Sequence, residues 1–416
     1  MYTEKDFNRA KELLIQNRQE GILNFLNKIN EERKEKLIKQ ILNLDFKKLN
    51  DLYKTTKEKP QILDKKIEHI RYVDEAKITK ENRKIYIDLG EEVIKNNQYA
   101  VVTMAGGQGT RLGHKGPKGT FKIDVEPEAK YLFQILSENL EKENKKYNVV
   151  LPWYIMTSTE NNEETIKFFE EHKYFGYPKE KVKFFVQGNL PLIFTNGDLV
   201  IDKDYSIKEA ADGNGCIYKA MRESGIIEEM KQNNIKWIFI GAVDNVLLNM
   251  VDPVLIGLTI FEKNQVASKS IAKNSPKEKV GVFCKANGVP SVIEYSELPE
   301  DMAKQIDEEG ELLFGEAHIM CNLFSIEALD KISKVNLPYH VANKKTNYMN
   351  EEEEFVEVVE PNAYKFEAFI FDAFNLFDNI SILRGKREEN FAPVKNKSGN
   401  DSPKTAVNLY NEYHKK

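Results

Sequence analysis

One stretch of the sequence, residues 100–122, constrains the fold and the chemistry more than any other. It reads AVVTMAGGQGTRLGHKGPKGTFK, so a short apolar run leads into closely spaced glycines, one arginine and three lysines. A glycine loop after an apolar strand can bring backbone N–H groups close to phosphate oxygens, and nearby cations add charge-assisted hydrogen bonds. The stretch therefore predicts a polyphosphate site.

Two common glycine motifs do not fit this loop. A P-loop requires Gly-Lys followed by Ser or Thr, and the sequence contains no such tripeptide. The dinucleotide pattern GxGxxG fits Gly107 and Gly109, but its third position is Leu112, and Gly113 comes one residue late. The pattern that remains is GGxGTRLGxxxPKG. A structural turn would explain its glycines, but not its GTR and PKG groups together.

Length and composition limit the class of protein. A chain of 416 residues predicts two or three domains, and a net charge of −5 argues against general nucleic-acid binding. The three cysteines lie far apart, without metal or disulfide spacing, as in a cytosolic protein with reduced thiols. The sequence shows neither a signal peptide nor a membrane-spanning apolar run. We therefore expect a cytoplasmic protein without a membrane or nucleic-acid partner.

The pattern of apolar residues changes near residue 98. Residues 1–97 place apolar side chains at helical spacing, which predicts a helical region. From residue 99, short apolar runs alternate with amphipathic helical stretches, which predicts an α/β fold with a mostly parallel sheet. The predicted divisions are 1–97, a main domain at 98–385 and a C-terminal segment at 386–416.

Individual elements follow from the same periodicities. We predict one helix over 216–232, an aromatic-rich helix over 366–377, a strand over 149–156, and a hairpin of strands 280–284 and 289–295 joined through Asn287-Gly288.

Polar residues that follow the predicted strands are candidates for ligand contacts, because ligands bind beyond the carboxyl ends of parallel strands. Gln187 follows a strand at 182–186, and its amide suits the edge of a pyrimidine base. Asp244 ends the most hydrophobic strand and suits Mg²⁺, which takes oxygen ligands and bridges phosphates. Asn214, in a glycine-rich turn, is a candidate for a sugar hydroxyl or amide. Each residue alone also fits a plain structural role.

Four further candidates for ligand contacts lie later in the chain. Glu294 and Tyr295 end the predicted hairpin, where a carboxylate could bind sugar hydroxyls. Lys365 and Lys395 lie in predicted loops and could each contact a phosphate, although a single lysine is usually a surface residue.

These residues stand in segments that together resemble the eukaryotic-type UDP-sugar pyrophosphorylases, and among them most closely the UDP-N-acetylglucosamine pyrophosphorylases. The segments follow the family's order from about residue 100 to 400, and they read MAGGQGTRLGHKGPKGTF, LPWYIMTS, FFEEHKYFG, FFVQGNLP, ADGNGCIYKA, VDNVL, EKVGVFCKANGVPSVIEYSEL, LLF, FEAFIFDAF and FAPVKNK. The resemblance implies an N-terminal helical region, a Rossmann-like nucleotide-diphospho-sugar transferase domain over 98–385, and a small C-terminal β domain.

The resemblance also implies a reaction. UTP and N-acetyl-α-D-glucosamine 1-phosphate would give UDP-N-acetylglucosamine and pyrophosphate, with Mg²⁺ and without an enzyme nucleophile. The implied catalytic residues are Arg111, Lys118 and Lys395, and Asp244 would orient the metal. The implied UTP-binding residues are Met104, Ala105, Gly106, Gly107, Lys118, Gln187, Gly213, Asp244 and Lys365. The implied sugar-binding residues are Asn214, Glu294, Tyr295, His318, Phe369, Phe371 and Lys395.

The sequence departs from the family in two places. After Leu312-Leu313-Phe314 the family carries a GNI run whose asparagine contacts the sugar, whereas here the run is GEAHIM and His318 takes that position. This keeps open a preference for glucose 1-phosphate or for several sugar phosphates. The sequence also stops at Lys416, so we expect a shortened C-terminal segment. We also expect a monomer. A rival of another class is a catalytically idle nucleotide-sugar-binding regulatory protein.

Overall fold

The computed structural model describes residues 2–57 and 66–415, which belong to two compact units. The first, here called the helical unit, draws on Met1–Gln61, Gly188–Gly215 and Leu337–Phe369. The second, here called the sheet unit, draws on Ile62–Gln187, Cys216–Asn336 and Ile370–Lys416. The predicted limits at residues 97 and 385 stay predictions.

The α-helices, in chain order, are α1 (Glu4–Gln16), α2 (Gly21–Lys28), α3 (Glu31–Asn43), α4 (Phe46–Thr55), α5 (Lys80–Lys95), α6 (Leu132–Tyr147), α7 (Asn162–Glu171), α8 (Ile217–Glu223), α9 (Ile226–Gln232), α10 (Pro253–Phe261), α11 (Glu300–Ala303), α12 (Ile326–Ile332), α13 (Arg387–Asn390) and α14 (Pro403–His414).

The β-strands, in chain order, are β1 (Ile67–Glu68), β2 (Val73–Asp74), β3 (Tyr99–Met104), β4 (Lys122–Ile123), β5 (Lys130–Tyr131), β6 (Trp153–Thr157), β7 (Val182–Val186), β8 (Asn189–Pro191), β9 (Ile193–Phe194), β10 (Glu209–Ala211), β11 (Trp237–Ala242), β12 (Val266–Ala272), β13 (Val282–Ala286), β14 (Val289–Ile293), β15 (Glu316–Ser325), β16 (His340–Lys344), β17 (Tyr348–Met349), β18 (Phe355–Val356), β19 (Ala363–Glu367) and β20 (Ser381–Arg384).

The helical unit is built on α1–α4, as the helical spacing near the N-terminus predicts. Thr3, Asn30 and Asp45 begin α1, α3 and α4, because the side chain of each accepts a backbone N–H from the first helical turn. Buried apolar faces of these helices pack with Ile193 of β9 and Phe366 of β19. Short antiparallel strands complete the unit, with β19 paired between β16 and β9.

The sheet unit contains an 11-stranded sheet whose main path is β2-β20-β12-β15-β11-β3-β6-β7. Along this path the neighbouring strands are parallel except at β15, which is antiparallel to both β11 and β12. The central strands β3 and β11 are apolar and buried almost throughout, as expected when helices cover both faces of a parallel sheet. The predicted α/β fold with a mostly parallel mixed sheet is confirmed.

Three predicted elements differ from the structure, and one agrees. The helix expected over 216–232 is interrupted between α8 and α9, because Gly225 has a φ of +76°. The helix expected over 366–377 is wrong in its first part, since β19 runs to Glu367 and a 3₁₀ helix spans Ile370–Leu376. The strand expected from residue 149 begins only at Trp153, after a proline that has no N–H to donate. The hairpin of β13 and β14 is confirmed.

Helices α5 and α10 cross at two glycines in the sheet unit. A Cβ on Gly257 would lie 1.8 Å from the carbonyl oxygen of Tyr86, and a Cβ on Gly90 would lie 2.1 Å from that of Pro253. We expect Gly257→Ala to lower the free energy of unfolding by about 1–3 kcal/mol, because the helices must separate. Urea unfolding measures this change. Gly21→Ala is the matched control, since its Cβ meets only a flexible carboxylate, and we expect it to unfold like the wild type; equal stability of both variants would contradict the crossing.

Candidate active site

The glycine loop begins where β3 ends, at the carboxyl edge of the parallel strands. The N–H of Gly109 donates to the carbonyl oxygen of Gly116 at 2.9 Å, and that of Lys118 donates to Gly107 at 3.0 Å. These bonds fold the loop back on itself. Within residues 2–57 and 66–415, the N–H groups of Gly106 and Gln108 have no acceptor. The loop therefore offers backbone donors to an external anion, as its sequence predicts.

Lys118 and Asp244, both predicted site residues, form an ion pair beside this loop. The Lys118 Nζ lies 2.7 Å from Asp244 Oδ2, and both side chains are less than a fifth exposed. Strand β11 pairs with β3 in register, with Ala242 opposite Met104, so the residues that follow the two strands meet. Burial raises the pKa of the Asp244 carboxyl, but attraction to Lys118 and Lys395 outweighs burial and keeps that pKa below its usual value. Asp244 is thus an anion at neutral pH.

Lys395 is brought near Asp244 because the segment 391–395 pairs with residues 244–246, just after β11. The N–H of Val394 donates to the carbonyl oxygen of Asp244 at 2.9 Å, and that of Val246 donates to Ala392 at 3.2 Å. Electrostatic attraction between Lys395 and Asp244 follows from this placement. The structure therefore gathers Lys118, Asp244 and Lys395 in one region of the sheet unit.

Asn245 is the residue that holds this segment, and no sequence pattern around it predicts this role. Its Oδ1 accepts the N–H of Ala392 at 2.9 Å, and its Nδ2 donates to the carbonyl oxygen of Asn390 at 2.8 Å. The side chain is buried, so the two bonds are shielded from water. Because the partners are far apart in sequence, no local pattern could have indicated this contact.

Two further predicted residues lie near the loop or on it. Gln187 follows β7 and is buried, and its amide nitrogen would lie 2.8 Å from a Cβ on Gly106, so any larger residue there would have to displace the Gln187 amide. Arg111 lies in a 3₁₀ turn at Thr110–Leu112 and is exposed. It has no ion-pair partner among the residues that the structure describes. Arg111 therefore remains available to an anionic ligand.

Four predicted residues, Gly213, Asn214, Lys365 and Phe369, belong to the helical unit. The turn that contains Gly213 packs on the backbone of Ala368, since a Cβ on Gly213 would lie 2.3 Å from that carbonyl oxygen. Lys365 was expected in a loop, but it lies on β19, where it pairs with Ala342 of β16. Its Nζ lies 2.7 Å from Glu367 Oε1, so this lysine is paired with a neighbouring carboxylate.

Glu294, Tyr295, His318 and Phe371 belong to the sheet unit. Glu294 and Tyr295 directly follow β14, and the Tyr295 ring is exposed. His318 is buried on β15, with its ring edge-on to Phe371 at a centroid distance of 5.7 Å. Burial, and to a smaller extent Lys395, lower the pKa of His318 to about 4, although a hydrogen bond with Asn322 opposes them. His318 is therefore a neutral side chain at physiological pH.

Asn322 is a second polar residue whose contacts the sequence does not predict. Its Oδ1 lies 3.0 Å from His318 Nε2 and accepts the Ser268 hydroxyl at 2.9 Å, and the side chain is fully buried. Strand β15 bulges here, since Ser268 pairs with Asn322 but Ser270 pairs with His318. A period-two reading of the strand does not reveal such a bulge.

Asp244 is the residue expected to hold Mg²⁺. Within the described part of the chain, no three His, Cys, Asp or Glu side chains come together as a metal cluster. Mg²⁺ commonly binds one or two carboxylates, and phosphate and water complete its coordination. A single ionised carboxylate beside a loop with free backbone donors fits that mode.

Among the helices of the described residues, none combines the length and the apolar character that a membrane span needs.

Comparison with known proteins decides the family. The family model described as UTP--glucose-1-phosphate uridylyltransferase matches residues 43–415. The chain belongs to this family. Among its relatives, the UDP-N-acetylglucosamine pyrophosphorylase of Saccharomyces cerevisiae is 38% identical over 80% of this chain and 71% of its own. The UDP-N-acetylglucosamine diphosphorylase 2 of Arabidopsis thaliana is 33% identical over 95% of this chain and 82% of its own.

A solved structure extends the comparison to the fold of this uridylyltransferase-family chain. The uridine diphosphate N-acetylglucosamine pyrophosphorylase of Trypanosoma brucei, in complex with an inhibitor, is 29% identical, with a TM-score of 0.82 over 98% of this chain and 85% of its own. The resemblance to the UDP-sugar pyrophosphorylases is confirmed. The roles of individual residues stay predictions.

Proposed function

We propose that this chain is a uridylyltransferase that converts UTP and N-acetyl-α-D-glucosamine 1-phosphate into UDP-N-acetylglucosamine and pyrophosphate. The observation that carries the proposal is the ion pair of Lys118 and Asp244, with Lys395 nearby. It lies beside a loop whose N–H groups at Gly106 and Gln108 have no acceptor in the described part of the chain. The names of the similar proteins support N-acetylglucosamine as the sugar.

The proposed reaction is an in-line displacement at the α-phosphorus of UTP. An oxygen of the sugar phosphate forms the new P–O bond as the bond to the pyrophosphate oxygen breaks, and pyrophosphate leaves with the negative charge. The protein positions both substrates and neutralises the developing charge through Arg111, Lys118 and Lys395. Mg²⁺, when bound, would supply further positive charge at the phosphate oxygens, and Asp244 is the residue that would hold it.

Other contacts complete the proposal. The backbone of Met104–Gly107 would bind the triphosphate, and Gln187, buried at the end of β7, would contact the uracil. The roles of Gly213 and Lys365 toward UTP rest on the family resemblance alone. The same holds for sugar contacts by Asn214, Glu294, Tyr295, His318, Phe369 and Phe371. A cytoplasmic location and a monomeric state are also parts of the proposal.

A panel of sugar 1-phosphates tests the function. We expect pyrophosphate release with UTP to be fastest for N-acetylglucosamine 1-phosphate, ahead of the N-acetylgalactosamine and glucose compounds. The identity of the sugar is the point to test, because the buried, neutral His318 stands where the family has a sugar-contacting asparagine. Equal or faster release with glucose 1-phosphate would replace the proposal by a UDP-glucose or broad-specificity enzyme. UTP binding without turnover of any sugar phosphate would favour the idle regulatory protein.

A further inference from the structure

We propose that Asn161 is a positioning residue that aims the glycine loop at the triphosphate of UTP; this inference rests on the proposed function. Asn161 directly precedes α7 and is fully buried. Its Nδ2 donates to the carbonyl oxygen of Ala105 at 3.0 Å and to that of Gly107 at 3.3 Å. One side-chain amide thus ties together two turns of the loop backbone.

The position of Asn161 in its own helix makes these contacts unusual. An asparagine at a helix N-cap normally accepts a backbone N–H from the first helical turn. In α7 no such side-chain bond exists. The Oδ1 instead accepts the N–H of Ser158 at 2.8 Å, which fixes the amide with its nitrogen toward the loop. The side chain therefore serves the loop rather than its own helix.

These contacts have a directional consequence for the loop. In a trans peptide the carbonyl of one residue and the N–H of the next point in opposite directions. Because the carbonyls of Ala105 and Gly107 face Asn161, the N–H groups of Gly106 and Gln108 point away from it. Those two N–H groups have no acceptor within the described residues. Asn161 thus holds two backbone donors turned away from its own side chain, where an anion could accept them.

The replacement Asn161→Asp tests this role. A carboxylate keeps the shape and the acceptor for Ser158, but it loses both donors and places a negative charge against two carbonyl oxygens. We expect the Kd for UTP, measured by calorimetry, and the KM for UTP to rise about tenfold at pH 8. The KM for the sugar 1-phosphate should stay unchanged. Lowering the pH should narrow the difference from the wild type, because a protonated carboxyl regains one donor.

Asn144→Asp is the matched control, because Asn144 is another buried asparagine of the sheet unit. Its Nδ2 donates to the Tyr177 hydroxyl at 3.1 Å and its Oδ1 accepts the N–H of Leu151 at 3.2 Å, so it does not contact the loop. We expect this variant to bind UTP like the wild type. A purely structural effect of a buried charge would weaken UTP binding equally in both variants, and that result would overturn the proposal.

A second variant and a separate readout keep the test decisive. Asn161→Ser retains one small donor, and we expect UTP affinity between those of the wild type and N161D. Wild-type affinity in both Asn161 variants would overturn the positioning role. Wild-type protein that binds UTP but releases no pyrophosphate with any sugar 1-phosphate would refute the proposed function alone, because the binding comparison still tests Asn161.

Discussion

Asp244→Asn is expected to lower kcat/KM by about 10²–10³-fold while the protein remains folded. The asparagine has the same shape, and its amide oxygen can still accept a hydrogen bond from the Lys118 ammonium. In the wild type that ammonium lies 2.7 Å from the carboxylate. It has no negative charge, however, so it is a much weaker ligand for Mg²⁺ and leaves Lys118 and Lys395 without their shared anion. We therefore expect the main loss in turnover. A smaller loss in the free energy of unfolding should accompany it, because the neutral asparagine no longer offsets the charge of Lys118.

Steady-state kinetics over a range of Mg²⁺ concentrations measures this prediction, since the variant should need more Mg²⁺ for half-maximal rate. Glu138→Gln is the matched control, because it removes the charge from another Lys–carboxylate pair of the sheet unit, with Lys130 at 2.6 Å, although the Glu138 side chain is more exposed than that of Asp244. The control should keep near wild-type kinetics. If D244N turned over as fast as E138Q, Asp244 would have no part in the reaction.

Lys269→Met is expected to have the opposite signature, a large loss of stability, of about 3–5 kcal/mol. Lys269 is buried on β12, with its Nζ 2.5 Å from Asp252 Oδ2 and 2.9 Å from Asn390 Oδ1. Removing the ammonium leaves the buried carboxylate of Asp252 without its cation. In the wild type, Lys269 outweighs burial and lowers the pKa of Asp252; in the variant, burial is no longer outweighed by the lysine and raises that pKa. The loss of stability should therefore shrink as the pH falls, because the unpaired carboxylate becomes protonated.

Urea unfolding at several pH values measures this loss. The double variant K269M/D252S should recover part of it, because serine carries no charge and can still cap α10, where Asp252 now accepts the N–H groups of Val254 and Leu255. A double variant no more stable than K269M would show that the lost packing of the lysine, rather than the unpaired charge, causes the effect.

The parts of the molecule that were predictable are those with short-range causes. The loop at 105–118 follows from its glycines and cations, and Asp244 was a candidate because it ends an apolar strand of the predicted parallel sheet. The ion pair that it forms with Lys118 joins residues 126 apart and was not predictable. The anchoring of segment 391–395 by Asn245 was not predictable, because it joins residues distant in sequence. The bulge in β15 and the joining of residues 188–215 and 337–369 with the N-terminal helices have the same long-range origin.

The pairing of segment 391–395 with residues 244–246 also has a consequence for synthesis of the protein. A ribosome makes the glycine loop and Asp244 long before it makes Lys395, yet contacts of the neighbours of Lys395 place its charge near Asp244. A nascent chain can therefore form the loop while it still lacks one of the cations around Asp244. A product that ends before Phe391 would carry the recognisable glycine motif without a complete set of charges around it.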